Sequence, residues 1–396
     1  MFTHAPGFHI VLLLLLCCLL PACRTRPTAP PQLPPRPAAQ EAEKPNLSST
    51  LPASVTLRDG TSQPVPVTPK DQHDLGIQLI TAGGTDQSLT QGAMLIEAAA
   101  AQGHAPALDT LARLHLEGIG VGQNLARAYA LALEGAEAGV SAAQQLVGAL
   151  YTLGMGTRQD YKQGYRWLVQ AARNGHPEAM AMLGDYFRQG LGVDRNDAEA
   201  FLWMRKAAEA GVERARFWLG IHYHYGVGTP SDQQQAHTLL RPFADKGDPE
   251  AQSIVGLQLY KGEGTKQDTK EAIAYFERAA AAGDSYGQLN LGILLHEGKA
   301  VARDVTRSLN LFSTCAEAGN PHCMVLLGSM HEQGEATDKD PGLALAWYLQ
   351  AARLGDPTAP ALVQELKATL TTSEVTRANN IATSWADKRA HSAKDE

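Results

Sequence analysis

The sequence predicts an all-α protein built as an array of helix-turn-helix repeats. Glycines recur every 36 residues at Gly103, Gly139, Gly175, Gly211, Gly247, Gly283, Gly319 and Gly355. Between them, small residues hold fixed columns: Ala107, Ala143, Ala179, Ala215 and Ala251 early in a first helical stretch, Ala136, Ala172, Ala208, Ala244 and Ala280 late in a second. Regular units of this length are supersecondary modules that bury their apolar faces only by stacking. The repeats run over 68–355, the first being degenerate.

Ahead of the array, Ile10 to Leu20 form an unbroken apolar run, the length of a secretory signal core and too short to span a bilayer. It ends in Leu20-Pro21-Ala22-Cys23, which resembles a bacterial lipobox. That resemblance implies removal of residues 1–22 and acylation of Cys23. Arg24 after the cysteine implies sorting to the outer membrane, so the expected address is the cell envelope, facing the periplasm. Residues 23–67 are rich in proline, including Pro27, Pro30, Pro31, Pro34, Pro35 and Pro37, and poor in large apolar side chains. They read as a disordered tether with no core of its own, rising about 3.1 Å per residue where extended.

Within each unit a second glycine column, Gly118, Gly154, Gly190, Gly226, Gly262, Gly298 and Gly334, closes the first helix. Glycine suits the left-handed residue that ends a helix. Small residues such as Gly148 and Gly184 let the paired helices approach, while Leu111, Leu183, Leu219 and Leu291 fill the space between. After Gly355, residues 356–396 read as a capping helix, with Ser373 as its N-cap, and a polar tail.

The unit HPEAMAMLGDYFRQGLGVDRNDAEAFLWMRKAAEAG at 176–211 resembles the Sel-one-like repeat (SLR), a relative of the tetratricopeptide repeat. The matching columns are Leu183-Gly184, the loop Gly190, Gly192 and Val193, then Ala200 and Trp203, and the close at Ala207, Ala208 and Gly211. The last two units carry Ala300 and Ala336 where the loop has its second glycine. The resemblance implies a right-handed α-solenoid superhelix of 36-residue helix-turn-helix repeats. Cys315 and Cys323 fall in columns that otherwise hold small packing residues, on either side of one interhelical turn. Their C-x7-C spacing resembles that of cysteine-rich secreted SLR proteins, which implies a disulfide. Buried free thiols are the alternative.

Several stretches imitate catalytic or metal motifs. GIGVGQ at 118–123 looks like a phosphate loop, but it follows a helix and recurs as GLGV and GVGT, so it is repeat punctuation. His222 and His224, two apart on a helix, point to nearly opposite faces and do not chelate one ion. His296-Glu297 and His331-Glu332 lack the second histidine of a zinc-protease helix. GDSYG at 283–287 fits a nucleophile-elbow pattern, yet Ser285 lies in a helix-to-helix turn and no S-x-x-K occurs. No cofactor or metal is expected.

What remains is surface. Positions two, six and nine after the alanine column are expected to line the concave face: Phe217, Ile221 and His224, then Leu257 and Tyr260, then Leu289, Ile293 and His296. A basic group of Arg205, Lys206, Arg214 and Arg216 stands beside this strip, while a net charge of -7 argues against nucleic acid. The expected function is a non-enzymatic adaptor that binds protein or peptide partners in the envelope. The alternatives are a cell-wall or β-lactam hydrolase, as claimed for cysteine-rich relatives, and a surface-displayed host-interaction factor.

Overall fold

The computed structural model describes residues 51–56, 61–82 and 85–395, with side chains through residue 387. Cys23, the leader and the tether up to residue 50 lie outside the described residues. A two-stranded antiparallel hairpin, β1 (Ser54–Thr56) with β2 (Ser62–Pro64), precedes the helices. The array then begins with α1 (Pro69–Thr81) and α2 (Asp86–Ala101). First helices follow as α3 (Ala105–Glu117), α5 (Ser141–Leu153), α7 (Pro177–Gln189), α9 (Glu213–Tyr225), α11 (Pro249–Lys261), α13 (Ser285–Glu297) and α15 (Pro321–Gln333). Their partners are α4 (Leu125–Glu137), α6 (Tyr161–Arg173), α8 (Asp197–Glu209), α10 (Gln233–Lys246), α12 (Thr269–Ala281), α14 (Val305–Glu317) and α16 (Pro341–Arg353). Two further helices, α17 (Ala359–Thr369) and α18 (Thr372–Asp395), close the chain.

The expected all-α array is thus observed, each helix from α2 to α17 packing on the one before it. Local chemistry sets the helix ends. Gly190, at φ 72°, closes α7 in the left-handed region, and its N–H bonds the Tyr186 carbonyl. Every second helix from α4 to α16 opens on an Asn or Asp side chain that accepts from backbone N–H groups of its first turn, at Asn124, Asp160, Asn196, Asp232, Asp268, Asp304 and Asp340. Each such cap is worth about 1 kcal/mol. Gly184 brings α7 against α8: a Cβ there would stand 2.8 Å from Met204 side-chain atoms.

The hairpin departs from the expected tether, which was to run to Val67. Val55 is 1% exposed and packs in a small core with Leu75, Leu79 and Leu95. Gln72 Nε2 donates to the Pro66 carbonyl at 2.8 Å, tying this segment to α1. Three-residue strands among prolines carry too little alternation to be read, and their one large buried side chain gains its partners only after α1 and α2 pair.

The C-terminal region also differs from expectation. The cap of α18 is Thr371, not Ser373: Thr371 Oγ1 accepts from Glu374 N–H, and the Glu374 carboxylate accepts from Thr371 N–H at 2.8 Å, a reciprocal capping box. Instead of only closing the end of the stack, α18 folds back over the outer side of α16. Ala346 and Gln350 are buried there, whereas Leu202 and Lys206, at the same repeat positions in α8, are exposed. Trp385 of α18 stacks on Trp347 at 4.1 Å between ring centroids.

Cys315 and Cys323 form the disulfide, joining the end of α14 to the start of α15 with Cα atoms 5.8 Å apart. Both are buried, as the small-residue columns require.

Candidate partner-binding face

Consecutive first helices touch between α3 and α5 and between α11 and α13, and no two second helices of the repeats approach comparably. The array therefore curves with its first helices inside. On those helices one row remains open, the positions one before the small-residue column and three, six and ten after it. Their spacings of four, three and four residues share one helical face. The row reads Arg214, Trp218, Ile221 and Tyr225 on α9, Glu250, Leu257 and Lys261 on α11, where Ile254 is buried, and Tyr286, Asn290, Ile293 and Glu297 on α13. Three large hydrophobic side chains stand out from it: Leu153 at 65%, Tyr225 at 55% and Tyr286 at 52% exposure.

Of the eight strip positions expected from the sequence, three lie on this row. Ile221, Leu257 and Ile293, six after the column, belong to the open row and are partly buried. Positions two and nine after the column turn instead into the stack, toward the second helix of their own repeat or toward the following unit. Phe217 packs edge-on against Phe243, with ring centroids 5.4 Å apart, and Tyr260 joins the same core. Leu289 and His296 are each 9% exposed. His296 Nε2 reaches Glu335 of the next unit at 2.6 Å, and His224 Nδ1 bonds Gln233 at 2.9 Å. These five side chains are engaged in packing within the stack: Phe217 and His224 on the second helix of their own repeat, His296 on the next unit. Tyr225 and Tyr286, the most open aromatic residues of the face, were missed because the period is visible in sequence but the rotation between successive repeats is not.

The electrostatics of the face are locally compensated in most places. Arg214 bridges Glu178 at 3.3 Å and Asp185 at 2.6 Å. Arg188 bonds Asp185 at 3.1 Å and lays its guanidinium 4.1 Å from the centre of the Trp218 ring. Arg205 lies 3.8 Å from Glu209, and Lys206 lies 4.3 Å over Trp203, so much of the expected basic group is occupied. Near Tyr225 the balance is acidic. Burial, with Tyr286, Glu250 and Asp284 nearby, pushes the Tyr225 phenol up to about 12. Burial, with Asp248 and Asp284, raises the Glu250 carboxyl.

The motifs set aside in the sequence sit where repeat packing puts them. His222 Nδ1 bonds the Val227 carbonyl at 2.7 Å, closing a loop. Ser285 is the first residue of α13, and its carbonyl oxygen lies 3.2 Å from the bridged Cys315 sulfur. Among the described residues no group of three or more His, Cys, Asp or Glu side chains is arranged to hold a metal. No described helix is long and apolar enough to cross a membrane.

The family model described as Sel1 repeat matches eight consecutive segments, 69–104, 105–140, 141–176, 177–212, 214–248, 249–284, 285–320 and 321–356. A protective antigen present in uropathogenic Escherichia coli strains, displaying an SLR fold, superposes with a TM-score of 0.50 at 23% identity, over 82% of this chain and 85% of its own. A Sel1 repeat protein from Oxalobacter formigenes is 27% identical over 75% of this chain and 86% of its own, with a TM-score of 0.49. No curated protein matches the chain significantly.

Proposed function

The chain belongs to the Sel1 repeat family, whose members generally mediate protein-protein interaction, and from that premise we propose that it is a non-enzymatic adaptor binding an extended peptide or a partner helix along its inner face. The observation that carries this reading is the open row of first-helix side chains, where Leu153, Tyr225 and Tyr286 are left more than half exposed. Large apolar side chains on one concave surface favour a partner that covers them. The array offers the rigid frame such binding needs, since contacts within the stack already occupy the Phe217, Tyr260 and His296 columns. With the lipobox-like Cys23, the adaptor is an envelope lipoprotein, anchored to the outer membrane and facing the periplasm.

Site-specific crosslinking in the full-length chain tests the binding reading. A photo-crosslinking residue in place of Ile221 or Leu257 is expected to capture a discrete protein, whereas one in place of Leu202, exposed on α8, is not. Equal capture at all three positions, or at Leu202 alone, overturns the inner face as the binding surface. For the anchor, Cys23→Ala is expected to move the protein from the membrane to the soluble fraction. Unchanged membrane association removes the lipoprotein reading.

A further inference from the structure

Resting on the reading that the inner face binds peptides, we infer that Tyr225, Tyr286 and Glu250 form a docking site for an arginine or lysine side chain of an extended, basic partner segment.

The chain itself shows how its aromatic rings are paired with charge, at half-buried Trp218 and buried Tyr275. On the same face, Trp218 receives the Arg188 guanidinium, which Asp185 holds through its carboxylate. On the second helices, Tyr275 receives both Arg241, at 5.4 Å, and Arg278, at 4.4 Å, while Asp245 and Glu271 neutralise Arg241. Both sets contain the same three parts, a ring, a carboxylate and a cation.

At Tyr225 and Tyr286 two of these parts are present and the third is not supplied by the chain. Both rings are more than half exposed. Glu250 makes no ion pair among the described residues, and nearby Asp248 and Asp284 cap α11 and α13. Lys261, the cation on the α11 row, lies 3.7 Å from Glu263. The ring edge-on to Tyr225 is that of His224, 4.6 Å away. Burial lowers the His224 pKa below its ordinary value, so it adds no charge at neutral pH. Burial raises both the Tyr225 and the Glu250 titrations, and the neighbours that add to it are all acidic or phenolic: Tyr286, Glu250 and Asp284 beside Tyr225, Asp248 and Asp284 beside Glu250.

A guanidinium or ammonium group fits this setting on two counts. A cation over a Tyr face gains about 0.5–2 kcal/mol, more as water is excluded. A carboxylate beside it adds a charge-assisted hydrogen bond and draws a basic chain toward the acidic wall. The net charge of -7 acts in the same direction. An acidic segment meets repulsion here, and a purely apolar one leaves Glu250 to lose water without a partner.

Selection of random twelve-residue peptides, displayed on phage, against the full-length chain tests this without presupposing a ligand. Peptides enriched in Arg and Lys are expected, and a synthetic peptide of the enriched sequence should lose about tenfold in affinity to Glu250→Gln and to Tyr225→Ala with Tyr286→Ala. Replacing its basic residues with Gln should cost as much. Enriched peptides that lack basic residues, or basic peptides that bind both variants unchanged, overturn the inference and leave the inner-face reading standing. If no peptide is enriched, the inner-face reading fails with it. Glu250→Gln removes only charge from an exposed side chain, so it remains decisive if the double tyrosine variant folds poorly.

Discussion

His322 Nδ1 lies 2.8 Å from the Asp356 carboxylate, tying the start of α15 to the turn that launches α17. Asp356 is 3% exposed and also accepts from Thr358 N–H at 2.8 Å and Ala359 N–H at 3.0 Å. Burial opposes its ionised form, but the bonds from His322 and Thr358 outweigh this and bring its pKa to about 2. His322 moves the other way, raised by its bond to Asp356 against the effect of burial.

The signs fix a pH window for this joint. Asp356, lowered on folding, stabilises fully above about pH 4, and that contribution is lost as pH falls toward 2. His322, raised on folding, stabilises fully below about pH 6.5, and its contribution is lost as pH rises through the folded value. Amide exchange over α17 is therefore expected to be slowest near pH 5–6, after correction for intrinsic rates. His322→Gln should abolish the loss of protection on the alkaline side, and Asp356→Ala should destabilise the joint by about 1–2 kcal/mol. A wild-type profile flat from pH 5 to 8 contradicts the pairing.

The Cys315–Cys323 bridge closes a short loop, for which chain entropy gives about 2 kcal/mol. Non-reducing mass spectrometry should find the chain two protons lighter over this pair than after reduction. Cys315→Ala with Cys323→Ala should lower the urea midpoint by a corresponding amount. Alkylation of both sulfurs without reductant would contradict the bridge.

Two loop positions test backbone conformation in opposite directions. Ala336 is the one non-glycine residue at positive φ among the described residues, at 55°, so Ala336→Gly should stabilise by about 1 kcal/mol. Gly228, at φ 71°, sits so that a Cβ would lie 2.0 Å from the Asp197 carbonyl oxygen. Gly228→Ala should cost about 2 kcal/mol or more, read as a lower thermal midpoint. Equal midpoints for the two variants would show that these loops do not constrain the stack.

The Trp347–Trp385 stack anchors α18 across the outer side of α16, where Arg353 Nη1 also donates to the Ala382 carbonyl at 2.9 Å. Trp385→Ala is expected to weaken this docking by about 3 kcal/mol. Exchange over 372–387 should then rise about a hundredfold, with the first repeats unaffected. Uniformly faster exchange would mean that the array unfolds as one unit instead.

The residues legible in the sequence are those whose role is local. Gly190 ends α7 because the left-handed turn needs no Cβ, and Gly184 admits Met204 because the paired helices nearly touch, so both recur with the period. The cap column from Asn124 to Asp340 is written in the sequence just as plainly, since a carboxylate or amide at that place satisfies helix N–H groups wherever the unit stands. Cys315 and Cys323 were placed by the same columns. Tertiary structure alone decided which side of a first helix stays open. Phe217 and Tyr225 lie eight residues apart on α9, yet Phe243 of α10 packs against one while the other is left in solvent. It likewise decided that Val55 finds a core and that α18 turns back over Ala346, since each contact joins segments whose meeting depends on how the stack curves and ends. Periodicity records what every unit needs for itself, and packing angles between units arise only when the units are assembled.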